Sequence, residues 1–196
     1  MKRYSVLMAL WAVLMLPFVW LLALSSQPET DLDAMVAATG NWAMAGLVVA
    51  VVMTPLAGVW RPLASRLWLR RAVGLAAFGG SIVHLAIYWL AMRSFAEPGG
   101  EWVLIADEAL SPGILTGWLA LLLLLPPALA SNDAAMRRLR TIWKPVQRLA
   151  WLAAALALVH MAVVHDGYTS ALAIAFLVAG VQLVRYFPVR STRKAI

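Results

Sequence analysis

Two of the three histidines in this 196-residue chain, His84 and His160, lie inside long apolar runs. An ionisable side chain held in hydrocarbon costs about 2.5–3.5 kcal/mol on insertion scales, so its retention there points to a task. No Asp, Glu, Lys or Arg sits at comparable depth in any of these runs. Two neutral imidazoles facing each other across a gap between helices can supply the axial pair of a b-type haem, with nitrogen on both sides of the iron and no covalent attachment. The chain has no cysteine. Disulfides, thiolate zinc sites, iron–sulfur clusters and thioether-linked haem therefore lack their ligand atoms.

The neighbours of the two histidines suit a flat ligand. Gly80, preceded by Gly79, lies one turn before His84; Ala157 and Ala153 lie about one and two turns before His160, although Leu156 on the other flank is large. Gly80 and Tyr88 are therefore read as pocket residues, with the Tyr88 hydroxyl available to a haem propionate. A single intramembrane histidine more often bonds a neighbouring helix. A pair matched in depth, with small residues beside both, favours iron. The third histidine, His165, stands beside Asp166 at the end of its run and reads as an interfacial cap.

These residues must be positioned by membrane helices. The chain is 63% hydrophobic and 13% charged, whereas soluble domains run at about 45–50% and 25%. Stretches of about 20 apolar residues, enough to cross some 30 Å of hydrocarbon, fall near 5–24, 41–59, 72–92, 112–130, 148–164 and 168–187. The expectation is an all-α integral membrane six-helix bundle forming a single domain over 1–196. No internal repeat is visible in the sequence. Pro17, Pro55 and the pair Pro126-Pro127 fall inside spans, where kinks are tolerated.

Loop charge orients the spans. Lys2 and Arg3, the Arg61–Arg71 group, the Arg137–Arg148 group and the run from Arg185 to Lys194 occupy one side, and only Arg93 among the sixteen Lys and Arg lies on the other. That other side is acidic, with Glu29, Asp31, Asp33, Glu97, Glu101, Asp107, Glu108 and Asp166. Both termini are then cytoplasmic in a multi-pass protein of the bacterial inner membrane. His84 and His160 each lie twelve residues into a span running outward, about 18 Å from the cytoplasmic edge. They share one level.

The first span resembles a signal peptide in its basic start and in Ala23, Ser25 and Ser26, but its apolar run exceeds the usual 7–15 residues, which favours a retained helix. The net charge of +7 belongs to loops rather than to a basic face, so no nucleic acid is expected. A Ser–His–Asp hydrolase lacks an orienting acid, and no phosphate loop, HExxH or dinucleotide fingerprint occurs. Trp60, Trp68, Trp102, Trp118 and Trp143 fall in loops or near span ends and read as interfacial belts.

Several short pieces in order extend this reading: Thr39-Gly40, Thr54-Pro55-Leu56, Arg70-Arg71, Gly74-Leu75, His84 and Tyr88, then Pro112, Gly117-Trp118, Met136, Arg138-Leu139, Trp143, His160, Leu183, Arg185 and Tyr186. In these the chain resembles the MsrQ/YedZ family of haem-binding membrane subunits, within the ferric-reductase-like transmembrane group. The resemblance implies at least one haem b, and FMN is also associated with the family. It further implies a donor, either the quinone pool or a cytoplasmic flavin reductase, and a periplasmic molybdenum-containing methionine sulfoxide reductase of MsrP type as acceptor. On this reading the chain is an electron-transfer subunit rather than the catalytic one.

The family usually has another histidine thirteen residues before the position of His160, where this chain has Gln147. A second, cytoplasmic-side haem is therefore in doubt. Electron entry can instead use a quinol or flavin near Arg70, Arg71, Trp143 and Arg148, although topology and anionic lipid explain those arginines more simply. Two rival classes remain: a ferric-reductase-like enzyme acting on a small substrate itself, and a cofactor-free scaffold or transporter subunit. Transporters usually show broken helices in repeated halves.

Overall fold

The computed structural model describes residues 2–27, 29–164 and 167–183. Among them the chain is helical with no strand. In chain order the helices are α1 (Lys2–Leu24), α2 (Leu32–Val59), α3 (Arg61–Ala64), α4 (Leu69–Phe95), α5 (Glu101–Ala109), α6 (Pro112–Leu129), α7 (Asp133–Leu139), α8 (Trp143–Val164) and α9 (Tyr168–Leu183), with a 3-10 turn at Arg140–Ile142 between α7 and α8. Five segments are long and apolar enough to cross a membrane: α1, α2, α4, α6 and the run Asp133–Val164 that contains α8. Within the described residues α9 has 16 residues, short of that length. The last part of the expected 168–187 span lies outside the described residues, as do His165, Asp166, Arg185 and Tyr186.

Several helices begin earlier than hydropathy alone indicates. α2 starts at Leu32 instead of 41, because the Asp31 carboxylate accepts the Ala34 N–H at 3.0 Å and closes the helix N-terminus. α8 starts at Trp143 instead of 148, and α4 at Leu69. The expected loop between the third and fourth spans contains α5, whose Trp102 ring lies tilted against Trp89 of α4 with centroids 6.2 Å apart. Each internal proline is carried within a continuous helix.

The core consists of two antiparallel hairpins, α2 with α4 and α6 with α8, packed through Leu47, Val51, Ala77, Leu124 and Ala153. α1 lies outside, inserting Phe18 against α4 while Leu16 and Trp20 are 62% and 63% exposed. In a bilayer such apolar exposure faces lipid, where it costs nothing. α4 and α8 both begin at the end carrying Arg70, Arg71 and Trp143, the basic end, and run toward the end carrying Glu101 and Glu108, the acidic end.

Candidate functional site

His84 and His160 meet between the hairpins. Their ring centroids are 6.2 Å apart and the rings are nearly perpendicular, at 81°. An imidazole nitrogen lies about 1.1 Å from its ring centroid and binds a metal at about 2 Å, so rings on opposite sides of one metal have centroids about 6.3 Å apart. The observed separation matches that geometry.

Each ring is held from behind by a backbone carbonyl. His84 Nδ1 lies 2.9 Å from the Val36 carbonyl oxygen, and His160 Nδ1 lies 2.8 Å from that of Gly113. A carbonyl only accepts, so each Nδ1 must carry a proton; in the neutral imidazole the lone pair is then on Nε2, which is the tautomer a metal requires. Thr39, fully buried, donates its hydroxyl to the Met35 carbonyl at 2.8 Å and places its oxygen 3.3 Å from His84 Nδ1. Among the described residues no group of three His, Cys, Asp or Glu could hold a metal ion. Two imidazole nitrogens are thus the metal ligands these residues can offer.

Close approach of helix backbone gives the rings their places. A Cβ added at Gly117 would lie 2.8 Å from His160 Nδ1, and one added at Gly40 would lie 3.1 Å from His84 Cε1. Both glycines sit on the helix facing the histidine. Gly80, by contrast, does not adjoin the histidine cavity: a Cβ there would strike the Phe18 ring, and one at Gly79 would meet Met15 Sδ at 2.9 Å. On α4 these two glycines make room for α1. Ala157 does line the cavity, whereas Ala153 belongs to the core.

The cavity between the rings is walled mainly by apolar side chains, among them Met44, Leu85, Leu121 and Met161, with Asn41 and Ser81 as polar members. Tyr88 also lines it, and its hydroxyl donates to Glu108 Oε2 at 3.0 Å. Trp118 lines the cavity as well, so it is not simply a belt residue. Sequence reasoning missed the two carbonyls, Thr39, Gly40 and Gly117. The available signal was the position of Thr39-Gly40 and Gly117-Trp118 among the family-like pieces.

A second, larger cavity lies at the basic end, about 750 Å³ against about 130 Å³. Leu47 and Leu124 line both. Around it the polar groups are already engaged. Gln147 Nε2 donates to the Pro127 carbonyl at 3.0 Å, Trp143 Nε1 to that of Ala130 at 3.0 Å, and Arg70 Nε to that of Ala50 at 2.9 Å. Arg71 pairs with Asp133 at 2.7 Å. Gln147 and Trp143 thereby close the carbonyl end of α6, which lacks intrahelical partners there. Arg148, expected near a donor site, is absent from the lining residues.

A bundle of apolar helices with an adjacent pair of imidazoles in its interior fits a membrane protein of the ferric reductase class, and residues 39–159 match the family described as "Ferric reductase like transmembrane component". The chain belongs to that family and is a multi-pass membrane protein. More narrowly, it belongs to the MsrQ family. The Protein-methionine-sulfoxide reductase heme-binding subunit MsrQ of Rhizobium meliloti (strain 1021) is 33% identical over 159 residues, covering 79% of this chain and 70% of the relative. The subunit of the same name from Polaromonas naphthalenivorans (strain CJ2) is 34% identical over 157 residues, 77% and 68% of the two chains. That from Xanthomonas oryzae pv. oryzae (strain MAFF 311018) is 36% identical over 143 residues, 70% of this chain but 60% of the relative. The chain thus spans between 60% and 70% of the length of these relatives. No solved structure matches it.

Proposed function

We propose that this chain is a haem b electron-transfer subunit in which His84 and His160 are the axial ligands. The observation that carries the reading is the pair of rings 6.2 Å apart, each with Nδ1 turned onto a main-chain carbonyl. Haem b would supply a one-electron iron couple. Val36 and Gly113 fix the tautomer through their carbonyls, Gly40 and Gly117 admit the rings, and the apolar walls exclude water. With both histidines on one iron, no position would remain for oxygen, which would favour transfer over oxygen activation.

The direction of transfer belongs to the same proposal. With the basic end cytoplasmic, six spans and both termini inside, the histidines lie in the outer half of the inner membrane. Electrons then arrive from the quinone pool or a cytoplasmic flavin reductase, with FMN as a flavin of the donor side. They leave for a periplasmic MsrP-like molybdoprotein that repairs oxidised methionine. The names of the relatives support a reductase system for methionine sulfoxide. The basic-end cavity has room for a donor's ring system, and its engaged side chains would serve as walls.

The test is a reduced-minus-oxidised spectrum of the detergent-purified protein beside His84→Ala and His160→Ala. Sharp reduced haem bands, lost in both variants, are expected. Bands that survive in either variant reject that histidine as a ligand, and a wild-type protein without bands after haem-replete expression leaves the cofactor-free scaffold.

A further inference from the structure

The two hairpins repeat one hydrogen-bond pattern that the sequence conceals. In the first, the Val36 carbonyl takes His84, Gly40 follows one turn later, Leu47 lines both cavities, and the Ala50 carbonyl takes Arg70. In the second, the Gly113 carbonyl takes His160, Gly117 follows one turn later, Leu124 lines both cavities, and the Pro127 carbonyl takes Gln147. The offsets agree. Counting from the first carbonyl, the glycine is four residues on, the leucine eleven, the second carbonyl fourteen and the basic-end donor thirty-four in both hairpins. The histidine separations are 48 and 47 residues, and both basic-end bonds span 20.

Arg70 and Gln147 therefore occupy, at the basic end, the places that His84 and His160 occupy at the acidic end. Each donates to a carbonyl of the preceding long helix, as the histidines do, and each lines its cavity. Neither offers what a histidine does on its far side. An imidazole that donates through Nδ1 still has a lone pair on Nε2. The amide nitrogen of glutamine has no available lone pair and its carbonyl oxygen is a poor haem-iron ligand, while a guanidinium stays protonated at every accessible pH and repels a metal cation. A second haem does not fit these residues.

We propose that the basic-end cavity is a structural copy of the histidine site, disabled at its two ligand positions by Arg70 and Gln147. The wild-type chain then holds one haem, and restoring histidine at both positions creates a second site. This rests on reading the acidic-end pair as haem ligands. The corresponding experiment compares haem per chain, by pyridine haemochromogen against quantified protein, in wild type, Gln147→Ala and the double variant Arg70→His/Gln147→His.

One haem per chain is expected in wild type and in Gln147→Ala, and two in the double variant, with a second reduced band or a second potentiometric step. Bands that depend on His84 and His160 report that the double variant is folded. Two haems in wild type, a fall in haem content in Gln147→Ala, or a folded double variant that stays at one would each overturn the inference. If the double variant does not fold, the wild-type and Gln147→Ala stoichiometries still decide whether the basic end holds iron. A wild type that binds no haem would instead sink the function proposed above.

Discussion

The two cavities share four helices and differ in what fills equivalent positions. At the acidic end, two imidazoles each hold a backbone carbonyl with one nitrogen and lie 6.2 Å apart, nearly perpendicular to each other. At the basic end, an amide and a guanidinium use comparable carbonyls to fasten helix to helix. The basic-end cavity is the larger. Room is thus a poor guide to chemistry here; what separates the two ends is whether the side chain that satisfies the carbonyl retains a nitrogen lone pair.

Substitutions can push each end toward the other. The largest effect is expected for His160→Gln, which gives the acidic end the chemistry of the basic one. The amide can still reach the Gly113 carbonyl, so helicity by circular dichroism should persist while the reduced haem bands disappear. Next comes Gly117→Ala, whose methyl would press on His160 Nδ1. An overpacked site costs about 1–3 kcal/mol, so haem affinity in a titration should fall by at least several-fold. Gly40→Ala, with the looser approach to His84, should lose less than Gly117→Ala.

Smaller effects belong to the basic end. Gln147→Leu removes one bond to the Pro127 carbonyl, which also accepts the Ser131 hydroxyl at 2.6 Å. Interhelical hydrogen bonds in membranes average about 0.6 kcal/mol, so unfolding in mixed micelles should shift by that order while haem content stays unchanged. Asp133→Asn breaks the Arg71 pair, whose side chains are 24% and 33% exposed. Exposed pairs are worth less than about 1 kcal/mol and are screened by salt, so its effect should be the least and should vanish at high ionic strength.

Much of this was legible in the sequence. Counting residues along apolar runs placed His84 and His160 at one level, and their rings do meet. All-helical architecture followed from composition and span length. Helix starts were less legible, because hydropathy stops at polar residues while a cap such as Asp31 extends the helix beyond the apolar run. The one-turn spacing from His84 points Gly80 toward the histidine cavity, yet a glycine opens space on whichever face it presents, and here that face meets Phe18. The carbonyl acceptors could not be found by residue type at all. Every residue has a carbonyl, so the repeated pattern emerges only when the helices are paired in space.

α8 is bonded to α6 near both of its own ends, through Gln147 to Pro127 and through His160 to Gly113, and α4 is bonded to α2 at its start through Arg70 and near its middle through His84. Neither histidine-bearing helix can slide by a turn without surrendering contacts at two levels. The height of the ring pair along the membrane normal is consequently set by main-chain acceptors, ahead of any cofactor. In the electron-transfer role proposed above, the distance from the ring pair to the acidic face would thus be inherited from the polypeptide rather than negotiated by the ligand.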